Sequence, residues 1–141
     1  MPANQVKRIL ILCTGNSCRS QMMEAYLKSF LQDRAEVYSA GIESHGLNPW
    51  AELIMEEDGF DISKNTSDKI EKYEHLTFDT LITVCDHAKE VCPTLPGVRE
   101  QIHQSFEDPA KAHGTEDDVM AVFRRVRDEI KAFALEYSAR F

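Results

Sequence analysis

Four consecutive apolar residues, Ile9-Leu10-Ile11-Leu12, run straight into Cys13-Thr14-Gly15-Asn16-Ser17-Cys18-Arg19-Ser20, and no other stretch restricts the fold so much. A short, unbroken apolar run reads as a strand buried on both faces, a property of parallel sheets. The octet reads as a tight loop, and the chain from Ser20 onward as a helix. Five residues separate Cys13 from Arg19, enough backbone to circle a tetrahedral oxyanion with N–H groups, the sulfur beneath it and the guanidinium beside it. Inward amides, the positive end of the helix and Arg19 all favour the Cys13 thiolate, so Cys13 is expected to be a nucleophile at neutral pH. Arg19 supplies a planar fork that can hold two oxygens at once. Gly15 is expected to turn the backbone with positive φ, and Ser20 to cap the helix or donate to the sulfur. A nucleotide-binding P-loop is excluded, because its second glycine and its lysine are missing.

The 141 residues suit a single domain, 1–141, able to bury a core without disulfides or metal. No apolar stretch is long enough for a membrane span or a signal-peptide core, which points to the cytoplasm. A formal net charge of −8 argues against nucleic-acid and anionic-membrane partners. It also repels an oxyanion at long range, but exposed charges are screened beyond ~8 Å, so the loop's nearest donors decide binding. The four cysteines, at 13, 18, 85 and 92, are not expected to form structural disulfides in such a compartment. Cys85 and Cys92 have six residues between them, wider than a zinc ligand pair, and no paired histidines accompany them.

Strand and helix patterns alternate throughout. Further strands are expected at Glu36 to Ala40, Thr80 to Cys85 and Val98 to His103. Helices are expected from Ser20 to Gln32, from Asn48-Pro49 to before Gly59, briefly near Thr66 to Asp68, and from Thr115 to the C-terminal region. Thr115 and Asp118 form a capping pair, and Val119, Val122, Phe123, Val126, Ile130, Phe133, Ala134 and Tyr137 make one apolar stripe. Arg124, Arg125 and Arg127 read as a solvated face. The fold class is therefore α/β: a three-layer domain with a four-stranded parallel sheet flanked by helices. In such a sheet the carboxyl ends of the strands share one edge, where ligands bind. That edge would gather Cys13, Ser39, Cys85 and Asp108-Pro109. Asp108 is placed to act as an acid toward a leaving oxygen.

One thiolate suffices for hydrolysis, so Cys85 and Cys92 on the same edge suggest thiol-disulfide exchange: Cys85 attacks the sulfur of a Cys13 adduct, and Cys92 then attacks Cys85. Were the segment between them helical, seven steps at 1.5 Å would hold their backbones about 10 Å apart, whereas a disulfide needs roughly 5.5 Å. Pro93, Pro96 and Gly97 favour loop just downstream.

The octet, together with Tyr38-Ser39-Ala40-Gly41-Ile42-Glu43, Asn48-Pro49, Asp61-Ile62-Ser63, Thr66-Ser67-Asp68, Cys85 with Cys92, Leu95-Pro96 and Asp108-Pro109-Ala110, resembles the thioredoxin-coupled arsenate reductases, which share the fold of low-molecular-weight protein tyrosine phosphatases. The resemblance implies that Cys13 attacks arsenate, that Arg19 and the amides of Thr14 to Arg19 hold its oxygens, and that Asp108 protonates the departing hydroxyl. It implies further that Cys85 releases arsenite by taking Cys13 into a disulfide, and that Cys92 carries the disulfide to the surface for thioredoxin. Cys18 is a packing residue in this scheme, and no cofactor beyond the cysteines is required. Some members of the family hold a potassium ion, and Asn16, Glu24, Ser39, Thr66 and Asp68 match that site; Asn65 departs from it, where some relatives have histidine beside it. A phosphatase is the competing expectation, although Ala110-Lys111 stands where those enzymes place a tyrosine. A non-catalytic anion or redox sensor is the third.

Overall fold

The computed structural model describes residues 6–92 and 94–141. Its sheet comprises β1 (Lys7–Cys13), β2 (Ala35–Gly41), β3 (Thr80–Thr83) and β4 (Glu100–His103), all parallel and in the order β2-β1-β3-β4. Ile9, Leu10, Ile11 and Leu12 are all fully buried although alternate residues face opposite sides, so layers of structure cover both faces of β1. The flanking helices are α1 (Arg19–Leu31), α2 (Pro49–Glu57), α3 (Asp86–Val91) and α4 (Glu116–Arg140). Among the described residues, no helix is long and apolar enough to cross a membrane.

Local signals set the helix boundaries where they are strongest. The Asn48 side chain accepts from the Trp50 and Ala51 amides ahead of Pro49, and Thr115 and Asp118 form a reciprocal capping box. Phe123, Val126, Ile130, Ala134 and Tyr137 bury the inner stripe of α4. On α1, Met22, Met23, Tyr26, Leu27 and Leu31 are buried, and α4 packs against both α1 and α2.

Several expectations need correction. Residues 66–68 are not helical; the turn comes later, as a 3-10 helix at Ile70–Tyr73. The third strand stops at Thr83, and Cys85 instead precedes α3 as its N-cap, in extended conformation. The fourth strand begins at Glu100 rather than Val98. Arg127 is no solvated residue: its side chain is 11% exposed and donates to the Ile54 carbonyl and to Glu57 on α2. Pro96 and Gly97 lie in non-regular structure, as expected, while Pro93 lies outside the described residues.

The sheet order places the site. β1 runs to β2 on one side, and the chain then crosses back to β3 on the other, so the crevice opens where the direction reverses, at the carboxyl ends of β1 and β3. Cys13 ends β1 and Cys85 follows β3.

Candidate active site

The loop from Cys13 to Cys18 turns its carbonyls outward, and each is occupied. Those of Cys13, Thr14, Gly15 and Ser17 accept from the amides of Ile42, Glu43, His45 and Asn48. Asn16 O accepts from Gln21 Nε2, and Cys18 O from the Met22 amide. Carbonyls that point out leave the succeeding N–H groups pointing in, which is the arrangement of an anion nest. The segment from Ile42 to Asn48 thus holds the loop's outer rim, a role no local pattern at those residues announces.

Asn16, not Gly15, carries the positive φ, at 50°. Its fully buried amide compensates for the strain by serving four partners. Nδ2 donates to Ser20 Oγ and Ser39 Oγ, each at 2.9 Å, while Oδ1 accepts from the Asp68 amide at 2.8 Å and from Gln21 Nε2 at 3.2 Å. Gly15 is required for a different reason: a Cβ there would collide with the His45 ring. Ser20 is not the helix cap either. Helix α1 starts one residue earlier, Cys18 is its N-cap without a side-chain bond, and Ser20 Oγ accepts from Asn16.

Arg19 is 9% exposed and braced at one end, Nη1 donating to the Phe106 carbonyl at 3.0 Å. Nη2 lies 3.6 Å from Asp108 Oδ2, and Nε is buried without a hydrogen-bond partner. A buried, unpaired guanidinium donor beside a ring of inward amides suits an oxyanion. Asp108 is kept beside it by its own position as cap of the 3-10 turn Pro109–Lys111, accepting from the Ala110 amide at 3.0 Å.

Three of the four cysteines, Cys13, Cys18 and Cys85, are buried, and Cys92 is half-buried. The Cys13 and Cys85 thiols lie close enough for each to influence the other's charge, and Thr14 Oγ1 lies 3.2 Å from Cys85 Sγ. The Cys13 thiol, then Thr14, the Ala88 amide and the charge of Arg19, favour ionisation of Cys85 against its burial. Cys85 and burial disfavour ionisation of Cys13, opposed by Arg19 and the Thr14 amide. The two thiols are thus coupled, and loss of a proton from one hinders its loss from the other. Cys18 is pushed up to about 12, by burial first and then by Asp108, and behaves as packing. Burial also raises Cys92, at the far end of α3.

Cys13, Thr14, Cys18, Arg19, Cys85 and Asp108 line a cavity of about 960 Å³ together with His45, His87, His113 and Lys111, and Cys92 is not among its described lining residues. No phenylalanine, tyrosine or tryptophan is among its described lining residues.

Behind the loop, the five residues of the expected cation site form one network through Asn16. Ser39 Oγ donates to Glu24, Thr66 Oγ1 donates to Asp68 Oδ2 at 2.8 Å, and Asn16 joins the two halves. Oxygen donors of this kind suit a hard cation. The ammonium of Lys28 pairs with Glu24, and that of Lys72 lies 3.2 Å from Asp68 Oδ1.

Comparison with known proteins places this geometry. The model of the low molecular weight phosphotyrosine protein phosphatase family matches residues 8–140. An arsenate reductase of Halalkalibacterium halodurans is 55% identical over 124 residues, covering 88% of this chain and 89% of the relative. A solved arsenate reductase in its phosphate-binding state superposes with a TM-score of 0.75 at 34% identity, covering 96% of this chain and 98% of that one. The tyrosine phosphatase Wzb from Escherichia coli K30, solved with sulphate, shares the fold with a TM-score of 0.79 at 19% identity over 96% of this chain and 99% of that one.

Proposed function

Given that this chain belongs to the low molecular weight phosphotyrosine protein phosphatase family, among relatives that are arsenate reductases, we propose that it reduces arsenate to arsenite through Cys13, Cys85 and Cys92, with thioredoxin restoring the thiols. The observation that carries this proposal is the second thiol: Cys85 lines the same cavity as Cys13 and Arg19, where hydrolysis has no use for it.

Cys13 passes its proton to the bound oxyanion, whose oxygens the loop amides and Arg19 hold, and attacks as the thiolate. Sulfur attacks As(V), and one oxygen departs as water with a proton from Asp108. Cys85, its proton released to solvent, attacks Cys13 Sγ as the thiolate. The S–S bond forms as the S–As bond breaks, and its electron pair stays on arsenic, which leaves as arsenite. Cys92 then attacks Cys85, frees the Cys13 thiolate, and leaves a Cys85–Cys92 disulfide for an external dithiol. Phosphorus cannot accept the electron pair, so phosphate binds but is not reduced. Hydrolysis of small phosphate esters shares the first step and is expected as a weak side activity; the cavity offers no aromatic wall to select aryl esters.

The decisive assay is NADPH consumption with thioredoxin, thioredoxin reductase and arsenate. Wild type should sustain turnover, Cys13→Ser should lose it together with phosphatase activity, and Cys92→Ser should release one equivalent of arsenite with no sustained NADPH consumption while hydrolysing aryl phosphate normally. Sustained turnover by Cys92→Ser would exclude the relay, and a stoichiometric response of the wild type would make the protein a sensor.

Potassium belongs to this proposal as a structural ligand that Asn16, Glu24, Ser39, Thr66 and Asp68 would hold, supplying positive charge behind the loop. It would compete there with Lys28 and Lys72, whose ammoniums already pair with Glu24 and Asp68. Potassium chloride should then raise the melting temperature more than the same concentration of choline chloride, with Glu24→Gln abolishing the difference. Equal melting temperatures in the two salts would leave the lysines as the permanent counter-charges.

A further inference from the structure

His103, on the edge strand β4, strings its imidazole between two other elements. Nδ1 lies 2.7 Å from Thr83 Oγ1 at the end of β3, and Nε2 lies 2.8 Å from Oδ1 of Asp86, the first residue of α3. Neutral imidazole satisfies both contacts, accepting from the Thr83 hydroxyl and donating to the carboxylate. Carboxylate, imidazole and hydroxyl in this order have the composition of a hydrolytic triad, but Thr83 is 5% exposed and does not line the cavity, so there is no nucleophile to serve. What the bonds accomplish is to tie α3 to the sheet by its first residue, directly after Cys85.

Resting on the relay proposed above, we infer that Thr83, His103 and Asp86 form a latch that keeps α3 helical, and so keeps Cys92 away from Cys85, until the last exchange step. Helix α3 has six residues and spans the interval between the two cysteines. Closing a disulfide across it must bring backbones from about 10 Å to roughly 5.5 Å. A helix of under two turns cannot lose a turn and persist, because the remaining bonds fall short of a nucleus. When its backbone leaves the helical conformation, Asp86 no longer points at His103. The latch therefore exists in the dithiol form alone. It favours that form and makes the Cys85–Cys92 disulfide easier for a partner to reduce. His103 touches neither substrate nor sulfur in this scheme; it is a positioning residue.

The test is the redox equilibrium of that pair, in a Cys13→Ser, Cys18→Ser background where only Cys85 and Cys92 can join, poised against graded ratios of reduced and oxidised dithiothreitol and read by maleimide trapping and mass. H103L should favour the disulfide about threefold, roughly 14 mV more negative for a two-electron couple. H103Q, whose amide nitrogen can reach Asp86 as Nε2 does, should retain the parent value. D86A should shift as H103L does, and the double variant no further than either single, since the His103–Asp86 contact is lost in each case. Unchanged potentials in H103L and D86A, whatever happens to their unfolding midpoints, would overturn the latch. If the parent forms no Cys85–Cys92 disulfide at any ratio, the relay itself fails and the latch with it, an outcome visible before any variant is compared.

Discussion

Asn16 is the residue on which the cradle's shape depends. It holds a left-handed conformation, is fully buried, and joins the loop to α1, β2 and the segment at Asp68. Asn16→Ala should destabilise the fold by about 2–4 kcal/mol in urea titrations, since it leaves the Asp68 amide and the Ser20 hydroxyl without a partner and removes a bond from Ser39. Asn16→Gly relieves only the backbone strain and should recover at most about 1 kcal/mol of that loss; full recovery would mean that the side-chain bonds contribute nothing. The sequence points to Gly15 for this conformation because glycine is its usual occupant. What selects Asn16 is a bond to a residue 52 positions away, which local spacing does not display. The setting of Cys13 was hidden for a similar reason: Cys85, which follows β3 on the other side of the sheet's switch point, is coupled to its ionisation.

Among the elements, those with strong signals at both ends were legible. The Asn48-Pro49 start of α2 and the capping box of α4 rest on contacts two or three residues apart. Residues 66–68 mimic a helix start with the same residue types, yet Thr66 bonds to the Asp68 side chain and the Asp68 amide to Asn16, so the polar groups serve the site instead. Between α2 and α4, Glu57 receives Arg124 in bidentate fashion and Arg127 beside it, and their bonds hold its carboxyl at about 2, below its ordinary 4.5. With the folded value below the unfolded one, this contact stabilises above pH 4.5 and its contribution disappears as pH falls toward 2. Urea midpoints should drop between pH 5 and pH 3, and Glu57→Gln should lower the midpoint at pH 5 while flattening the drop. An unchanged slope would assign the acid sensitivity to other carboxylates. The exposure of Glu57 keeps the effect small.

For the whole molecule, the order β2-β1-β3-β4 explains why residues from four separate stretches meet, and the α/β alternation made that convergence readable before any coordinate. The juxtapositions that shape the site, Cys13 with Cys85 on one cavity and Arg19 with Phe106 and Asp108, join elements distant in sequence and emerge only from the packed form. A chain of net charge −8 that binds an oxyanion does so through its cradle and not through its general field. Inorganic phosphate, a ligand but no oxidant, should therefore raise the melting temperature, the stabilisation reaching about 2.7 kcal/mol at a hundred times its dissociation constant. Arg19→Ala should remove most of that rise. If the variant responds as fully as wild type, phosphate is binding elsewhere.

The three cysteines of the proposed relay differ in burial: Cys13 and Cys85 are 3% and 4% exposed, and Cys92 is half-buried at the end of a six-residue helix. Under that proposal the choice of oxyanion and the choice of reductant would fall to different parts of the surface, one in the crevice at the sheet's edge and the other on a short exposed arm. Substitutions around Cys92 can retune which dithiol is accepted without disturbing a single donor of the cradle. A lineage could exchange its electron supply while its substrate stayed the same.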